Sequence, residues 1–159
     1  MLEITSTPLV LIAILGTVGV LLPIISIARK EQGSNSFYAV IAFAALIVSM
    51  GYVGYQFINE NIAPSALFSE DVIVDDAFGG LFAIAMLTVA LFTTVGSFNY
   101  MRKHNSPAVY YSLILLATIG MVLVAYSTDL VMLFVAWELM SIPTYVLVGF
   151  MKKNPSSNE

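Results

Sequence analysis

The chain has 159 residues, of which 59% are hydrophobic and 10% charged, whereas an average soluble domain has about 25% charged residues. This composition excludes an ordinary soluble domain and indicates an integral membrane protein. The absence of cysteine excludes disulfides, thiolate metal sites and iron–sulfur ligation, and the net charge of −4 argues against a nucleic-acid partner.

Long apolar runs follow one another along the chain. About 20 apolar residues in a helix, each rising about 1.5 Å, cross a hydrocarbon core of about 30 Å. The runs therefore predict an all-α integral membrane fold with five transmembrane helices, in a single membrane segment that takes in residues 1–159. The predicted helices cover residues 8–28, 37–58, 77–100, 107–127 and 130–151.

Basic residues occur at one end of these predicted helices. They follow the first, third and fifth helices and are Arg29, Lys30, Arg102, Lys103, Lys152 and Lys153. The loops at the opposite end contain no Lys or Arg. Because basic loops stay in the cytoplasm, we expect an outside N-terminus, a cytoplasmic C-terminus and a multi-pass position in the cytoplasmic (inner) membrane.

The longest predicted loop, residues 59–76, is acidic and carries Glu60, Glu70, Asp71, Asp75 and Asp76. We expect these carboxylates to form a solvated face, with a cation-collecting role as the less favoured alternative. Residues 71–75 predict a short strand in a small surface hairpin. The single histidine, His104, is expected to be a solvated loop residue, so the sequence predicts no metal site.

The last apolar run, Asp129 to Lys152, is the one that contains a charge, Glu138. Glu138 follows Asp129 by nine residues, which places it roughly 13 Å along a helix and close to the membrane midplane. A charge there costs about 2.5–3.5 kcal/mol. We therefore expect a carboxyl that is neutral or paired with a cation and that loads and releases protons. The alternative is a structural acid in a static hydrogen bond.

Residues close to Glu138 on the predicted helix are polar or interrupt its hydrogen bonding. Ser141 and Tyr145 share a face with Glu138 at helical spacing. Pro143 has no N–H, so the carbonyl of Leu139 loses its intrahelical donor. Together these groups predict a short polar pocket that holds water, which is tolerated at membrane depth where it faces protein or a wet cavity.

The fourth and fifth predicted helices are joined by two or three residues, which makes them antiparallel neighbours. Ser112 and Thr118 of the fourth helix are therefore candidates to face Glu138. In the alternative, these hydroxyls bond carbonyls of their own helix.

Three stretches resemble a known family. The run LVMLFVAWELMSIPTYVLVGF, followed by MKKNPSSNE, resembles the fifth helix of the N subunit of complex I-like dehydrogenases. The stretches YYSLILLATIGMVLVAYSTDL and VDDAFGGLFAI support the match, which covers roughly residues 70–159, and the first two helices match by topology. The family includes the N subunits of NADH–quinone oxidoreductase, of its photosynthetic counterpart and of the archaeal deazaflavin (F-420) dehydrogenase.

The resemblance implies a membrane-arm subunit that couples electron transfer to a quinone-type acceptor, quinone or methanophenazine, with proton translocation. The family's fifth-helix glutamate, which Glu138 matches, belongs to the translocating machinery and interacts with a lysine on the seventh helix. The resemblance implies no cofactor in this chain, because electrons travel elsewhere in the complex. It implies as partners lipid, the neighbouring antiporter-like subunits and the small K-type subunit, and no nucleic acid.

Family members have about fourteen helices in two inverted repeats, so five helices would be the first part of a larger antiporter-like bundle. The partner lysine would then lie in a missing C-terminal part or in the second chain of a split subunit. One alternative is a subunit of a cation/proton antiporter or a membrane-bound hydrogenase. Another is a structural membrane subunit without a proton role.

Overall fold

A computed structural model of the protein describes residues 7–28, 35–58, 65–66, 72–101 and 106–150. In chain order its elements are α1 (Thr7–Ala28), α2 (Asn35–Ile58), β1 (Ser65–Ala66), β2 (Val74–Asp75), α3 (Ala77–Met101), α4 (Pro107–Tyr126) and α5 (Leu130–Gly149). All five helices are long and apolar enough to cross a membrane. The predicted all-α membrane fold with five spanning helices is therefore confirmed. The orientation stays a prediction, because the basic residues and His104 lie outside the described residues.

Helix α4 lies at the centre of the bundle and packs against α1, α2, α3 and α5. In its most apolar stretch of 18 residues, 56% of the residues are buried, against 17% in the corresponding stretch of α5. Both helices are apolar over most of their surface, as expected for membrane spans. The core therefore lies around α4, and α5 stands at the side of the described bundle with most of its surface uncovered.

Helix α1 contains an interior proline, Pro23. Because proline has no N–H, the carbonyl of Gly19, four residues earlier, loses its intrahelical donor. The hydroxyl of Ser112 in α4 donates to this carbonyl, with 2.5 Å between Oγ and O. A Cβ added at Gly19 would lie 3.6 Å from the Cβ of Leu115, so α1 and α4 leave room for a methyl group here.

The two short strands lie at the end of the bundle where α1, α3 and α5 begin. Strand β1 pairs antiparallel with β2, so the strand predicted over residues 71–75 is confirmed for residues 74–75. The segment before β2 also contacts the α4–α5 turn: Ile73 forms a β-bridge with Ser127, and the N–H of Thr128 donates to the carbonyl of Val72 at 3.2 Å. The turn that leads into α5 is therefore held by the segment that leads into α3.

The prediction of a solvated acidic face is wrong for Asp75. This residue is 6% exposed, and its Oδ2 accepts a hydrogen bond from the N–H of Thr7 at 2.7 Å. Asp76 Oδ1 accepts from the N–H of Gly79 at 2.7 Å, in the first turn of α3. Helix N-termini present unpaired N–H groups and the positive end of the helix dipole, so these carboxylates are stabilised there. Glu60, Glu70 and Asp71 lie outside the described residues.

Candidate functional site

Helix α5 carries Glu138 near its middle. Asp129 caps the start of the helix, and its carboxylate accepts hydrogen bonds from the N–H groups of Val131 at 2.9 Å and Met132 at 3.2 Å. Glu138 is partly buried and lies about 13 Å along the helix from this cap. Its carboxylate forms no hydrogen bond or ion pair with any residue in the described ranges.

Glu138 lies on the side of α5 that faces away from α4. Ala136 and Pro143 are buried, and Met132 and Leu139 pack against the core around α4. These residues recur at spacings of three or four and therefore mark one face of the helix. Glu138 follows Ala136 by two positions, about 200° around the helix axis, and so lies on the opposite face.

The hydroxyl residues Ser141 and Tyr145 share the side of α5 that carries Glu138, as the spacing predicted. Tyr145 is 71% exposed in the described chain. Ser141 is 8% exposed, and its Oγ donates to the carbonyl of Trp137 at 2.7 Å. The hydroxyl proton of Ser141 is therefore committed to its own helix, while its oxygen can still accept a hydrogen bond from water.

The hydrogen-bond ladder of α5 is interrupted just after Glu138. Pro143 is buried inside the helix and cannot donate to the carbonyl of Leu139. Thr144 Oγ1 donates to the carbonyl of Met140 at 2.8 Å. No side chain in the described ranges donates to the carbonyl of Leu139. Interior prolines and hydroxyls bonded back to the helix favour bending, so we expect α5 to bend most easily here.

Gly120 of α4 approaches the backbone of α5 at this same level, a contact that sequence reasoning missed. A Cβ added at Gly120 would lie 2.5 Å from the backbone nitrogen of Met140 and 2.9 Å from the carbonyl carbon of Leu139. Real Cβ atoms do not make contacts that short, so this approach requires glycine. The available signal was a glycine inside a helix, which costs about 1 kcal/mol relative to alanine and so usually has a packing reason.

The two α4 hydroxyls predicted near Glu138 bond elsewhere. Thr118 Oγ1 donates to the carbonyl of Ile114 at 2.7 Å, the own-helix alternative. Ser112 follows neither alternative, because it bonds Gly19 of α1. A supporting role for either residue in proton transfer stays a prediction.

Within the described residues, no group of three or more His, Cys, Asp or Glu side chains could hold a metal ion. Glu138 is the one carboxylic acid within α5. Glu138 can hold or release a proton, and the oxygen of Ser141 can help to hold a water molecule near it. A cation that stabilises the charged carboxylate must come from outside the described residues.

Comparison with known proteins places this chain in a family. The family described as NADH:quinone oxidoreductase/Mrp antiporter, TM, matches residues 127–159, which include all of α5. NADH-quinone oxidoreductase subunit N of Desulfitobacterium hafniense is 32% identical over 99% of this chain and 30% of that protein. F(420)H(2) dehydrogenase subunit N of Methanosarcina mazei is 40% identical over 58% of the chain and 19% of that protein.

NADH-quinone oxidoreductase subunit N 1 of Koribacter versatilis is 37% identical over 79% of the chain and 25% of that protein. The chain thus spans less than a third of the length of each of these relatives. By these matches it belongs to the family of antiporter-like N subunits of complex I-like dehydrogenases.

Proposed function

We propose that this chain is part of a proton-translocating membrane-arm subunit of a complex I-like dehydrogenase, and that Glu138 holds and releases the proton. The observation that carries the proposal is the partly buried carboxylate of Glu138, near the middle of a spanning helix and without a partner in the described ranges. The similarity to NADH-quinone oxidoreductase and F(420)H(2) dehydrogenase N subunits supports the class of complex.

A carboxylate at this depth requires a protein environment. Facing lipid, the charge would cost about 2.5–3.5 kcal/mol at the centre of a spanning helix. The surface around Glu138 is largely exposed in the described chain, with Phe134 64% and Tyr145 71% exposed. We propose that a lysine-bearing helix from the remainder of the subunit covers this face, since the chain spans 30% of its Desulfitobacterium relative.

Proton exchange at Glu138 then depends on the distance to the lysine ammonium. As the ammonium approaches, the charged carboxylate is stabilised and the carboxyl group releases its proton. As the ammonium withdraws, the carboxylate is destabilised in its apolar surroundings and binds a proton. Ser141 and Tyr145 lie on the same side of α5, where the Ser141 oxygen helps to hold a water molecule that carries the proton.

The electron-transfer chemistry belongs to other subunits in this proposal. The complex reduces a quinone-type acceptor in the cytoplasmic membrane, and neighbouring antiporter-like and small K-type subunits contact this chain. The chain itself contributes a titrating group and the helices that hold it.

The test is Glu138→Gln in the whole complex, reconstituted into vesicles. Proton uptake per electron pair, electron-transfer rate and yield of assembled complex are measured together. We expect proton translocation through this subunit to fall about a hundredfold or more, the range of a lost general acid–base group, with assembly retained. Asp129→Asn is the matched control, because it changes the other carboxylate of the α5 region, which caps the helix. Unchanged proton uptake in the Glu138→Gln complex would refute the proton role.

A second candidate is a subunit of a cation/proton antiporter or a membrane-bound hydrogenase. The matching family description, which includes Mrp antiporters, favours keeping it. Sodium-dependent proton movement in vesicles without an electron donor would support this candidate. A purely structural role for Glu138 predicts instead that Glu138→Gln lowers the yield of complex and leaves proton uptake per complex intact.

A further inference from the structure

We propose that Gly120 of α4 and Pro143 of α5 are positioning residues for Glu138. Gly120 meets the backbone of α5 at Leu139 and Met140, and Pro143 follows about one turn later. We call this contact, together with Pro143, the α4–α5 joint. The joint sets how far α5 stands from α4 and therefore where Glu138 meets its partner. This inference rests on the proposed proton role of Glu138.

The first argument is the distance between the two helices at the joint. A Cβ at residue 120 would lie 2.5 Å from the Met140 nitrogen and 2.8 Å from the Met140 Cα, whereas ordinary contacts begin at 3.4 Å. Because the overlapping atoms are backbone atoms of α5, no side-chain rotation relieves the overlap. Any residue other than glycine at position 120 must therefore move α5 away from α4 by about 1 Å.

The second argument is the direction of this movement. Glu138 lies on the face of α5 opposite α4, about 200° from Ala136. The start of α5 is held separately, by the Thr128 bond to Val72 and by the Asp129 cap. A displacement at the joint therefore tilts α5 about its held end and carries Glu138 outward, towards the group that faces it.

The third argument is a contrast with α1. Pro23 frees the carbonyl of Gly19, and Ser112 binds that carbonyl. Pro143 frees the carbonyl of Leu139, and no side chain in the described part of the protein binds it. The freed carbonyl in α1 is thus bonded to a donor from α4, whereas the freed carbonyl in α5 has no side-chain donor in the described residues. A bend of α5 at this point therefore breaks no side-chain hydrogen bond to that carbonyl.

The main test is Gly120→Ala in the whole reconstituted complex, with two matched Gly→Ala controls. Gly51→Ala adds a methyl group in open space. Gly80→Ala places a Cβ 2.7 Å from Phe57 Cε2, between α2 and α3, where the overlap is with a side-chain ring and not with backbone. Three quantities are measured for each variant: protons translocated per electron pair, electron-transfer rate per assembled complex, and the rate at which a hydrophobic carbodiimide modifies Glu138, followed by mass spectrometry.

For Gly120→Ala we expect a loss of proton translocation of about tenfold, because a misplacement of about 1 Å can lower a rate up to a hundredfold. We expect electron transfer per complex to stay within about twofold, and the carbodiimide rate at Glu138 to change by about threefold or more. Gly51→Ala and Gly80→Ala should leave the carbodiimide rate and the proton ratio per assembled complex unchanged. If Gly120→Ala and Gly80→Ala gave the same results in all three measurements, disturbed helix packing alone would explain the effect of Gly120→Ala, and the proposal would be overturned.

Pro143→Ala tests the joint from the α5 side without creating an overlap. Alanine restores an N–H donor for the Leu139 carbonyl, so α5 becomes more regular next to Glu138. We expect the carbodiimide rate and the proton ratio to change in this variant as well. Should Gly120→Ala fail to assemble, an unchanged carbodiimide rate in Pro143→Ala would overturn the proposal.

The carbodiimide rate separates this inference from the proposed function, because it reports the surroundings of Glu138 whether or not Glu138 carries protons. Normal pumping by Glu138→Gln, together with an altered carbodiimide rate in Gly120→Ala, would refute the proton role and keep the joint. Lost pumping by Glu138→Gln, with unaltered carbodiimide rates in both joint variants, would refute the joint and keep the proton role.

Discussion

Replacement of Asp75 tests how the end of the bundle is held together. The Asp75 carboxylate is 6% exposed and accepts a hydrogen bond from the N–H of Thr7, which begins α1 and is itself 3% exposed. The two residues are 68 positions apart in the chain. Asp75 therefore caps a helix to which it does not belong, and its removal should loosen α1 from the β2 segment.

The magnitude follows from what each substitution leaves behind. Asp75→Ala removes a cap, worth about 1 kcal/mol. It also leaves the Thr7 N–H buried without an acceptor, which costs about 1–3 kcal/mol. Because these effects overlap, we expect a total loss of about 2–3 kcal/mol. Asp75→Asn keeps an acceptor oxygen and loses the charge at the helix N-terminus, so it should cost about 0.5–1 kcal/mol.

The assay is the midpoint temperature at which the purified complex loses this subunit in detergent. Asp129→Ala is the control, because it removes a cap from N–H groups near exposed Val131, where water can replace the carboxylate. We expect Asp75→Ala to lower the midpoint most, Asp75→Asn less, and Asp129→Ala by no more than Asp75→Asn. Equal midpoints for Asp75→Ala and Asp129→Ala would refute the reasoning, since a buried unpaired N–H must cost more than a hydrated one.

Two further substitutions test buried hydroxyls. Ser112→Ala should cost about 1–3 kcal/mol of stability, because it leaves the Gly19 carbonyl unpaired. In the Pro23→Ala background a backbone N–H returns to that carbonyl, so Ser112→Ala should cost less there. Additive midpoint shifts in the double variant would contradict this coupling. The Tyr126 hydroxyl is buried without a hydrogen-bond partner in the described chain. Tyr126→Phe should therefore leave the midpoint temperature unchanged or raise it. A clear decrease would show that the hydroxyl has a partner, such as a buried water.

The helices could be predicted because a membrane span needs little more than about 20 consecutive apolar residues. This requirement is local, and each run from α1 to α5 meets it by itself. The same property hides the packing. Helix α5 is apolar on almost every side, so its sequence does not show that Ala136 and Pro143 face α4 while Phe134 faces outward.

The contacts of Ser112 and Asp75 could not be predicted because both join distant parts of the chain. Ser112 lies in a helix that contacts four others, and which of them its hydroxyl meets depends on the rotation of α4 about its axis. Asp75 belongs to an acidic stretch whose sequence predicts a solvated loop. Its partner, the N–H of Thr7, is 68 positions away and lies beside Asp75 only in the folded bundle. A single charge in an apolar run, by contrast, can be recognised from the local sequence, and Glu138 is such a charge. Its proton role stays a prediction.

The treatment of the two proline-freed carbonyls explains why α4 carries serine at one crossing and glycine at the other. At the α1 crossing, Ser112 binds the Gly19 carbonyl, and a Cβ at residue 19 would fit there in ordinary van der Waals contact. At the α5 crossing, a serine at position 120 would bring its own Cβ to 2.5 Å from the Met140 nitrogen. At this level α4 can therefore provide a hydroxyl donor or approach α5 closely, but it cannot do both. Gly120 gives the close approach, and the carbonyl of Leu139, next to Glu138 in the chain, has no side-chain donor among the described residues.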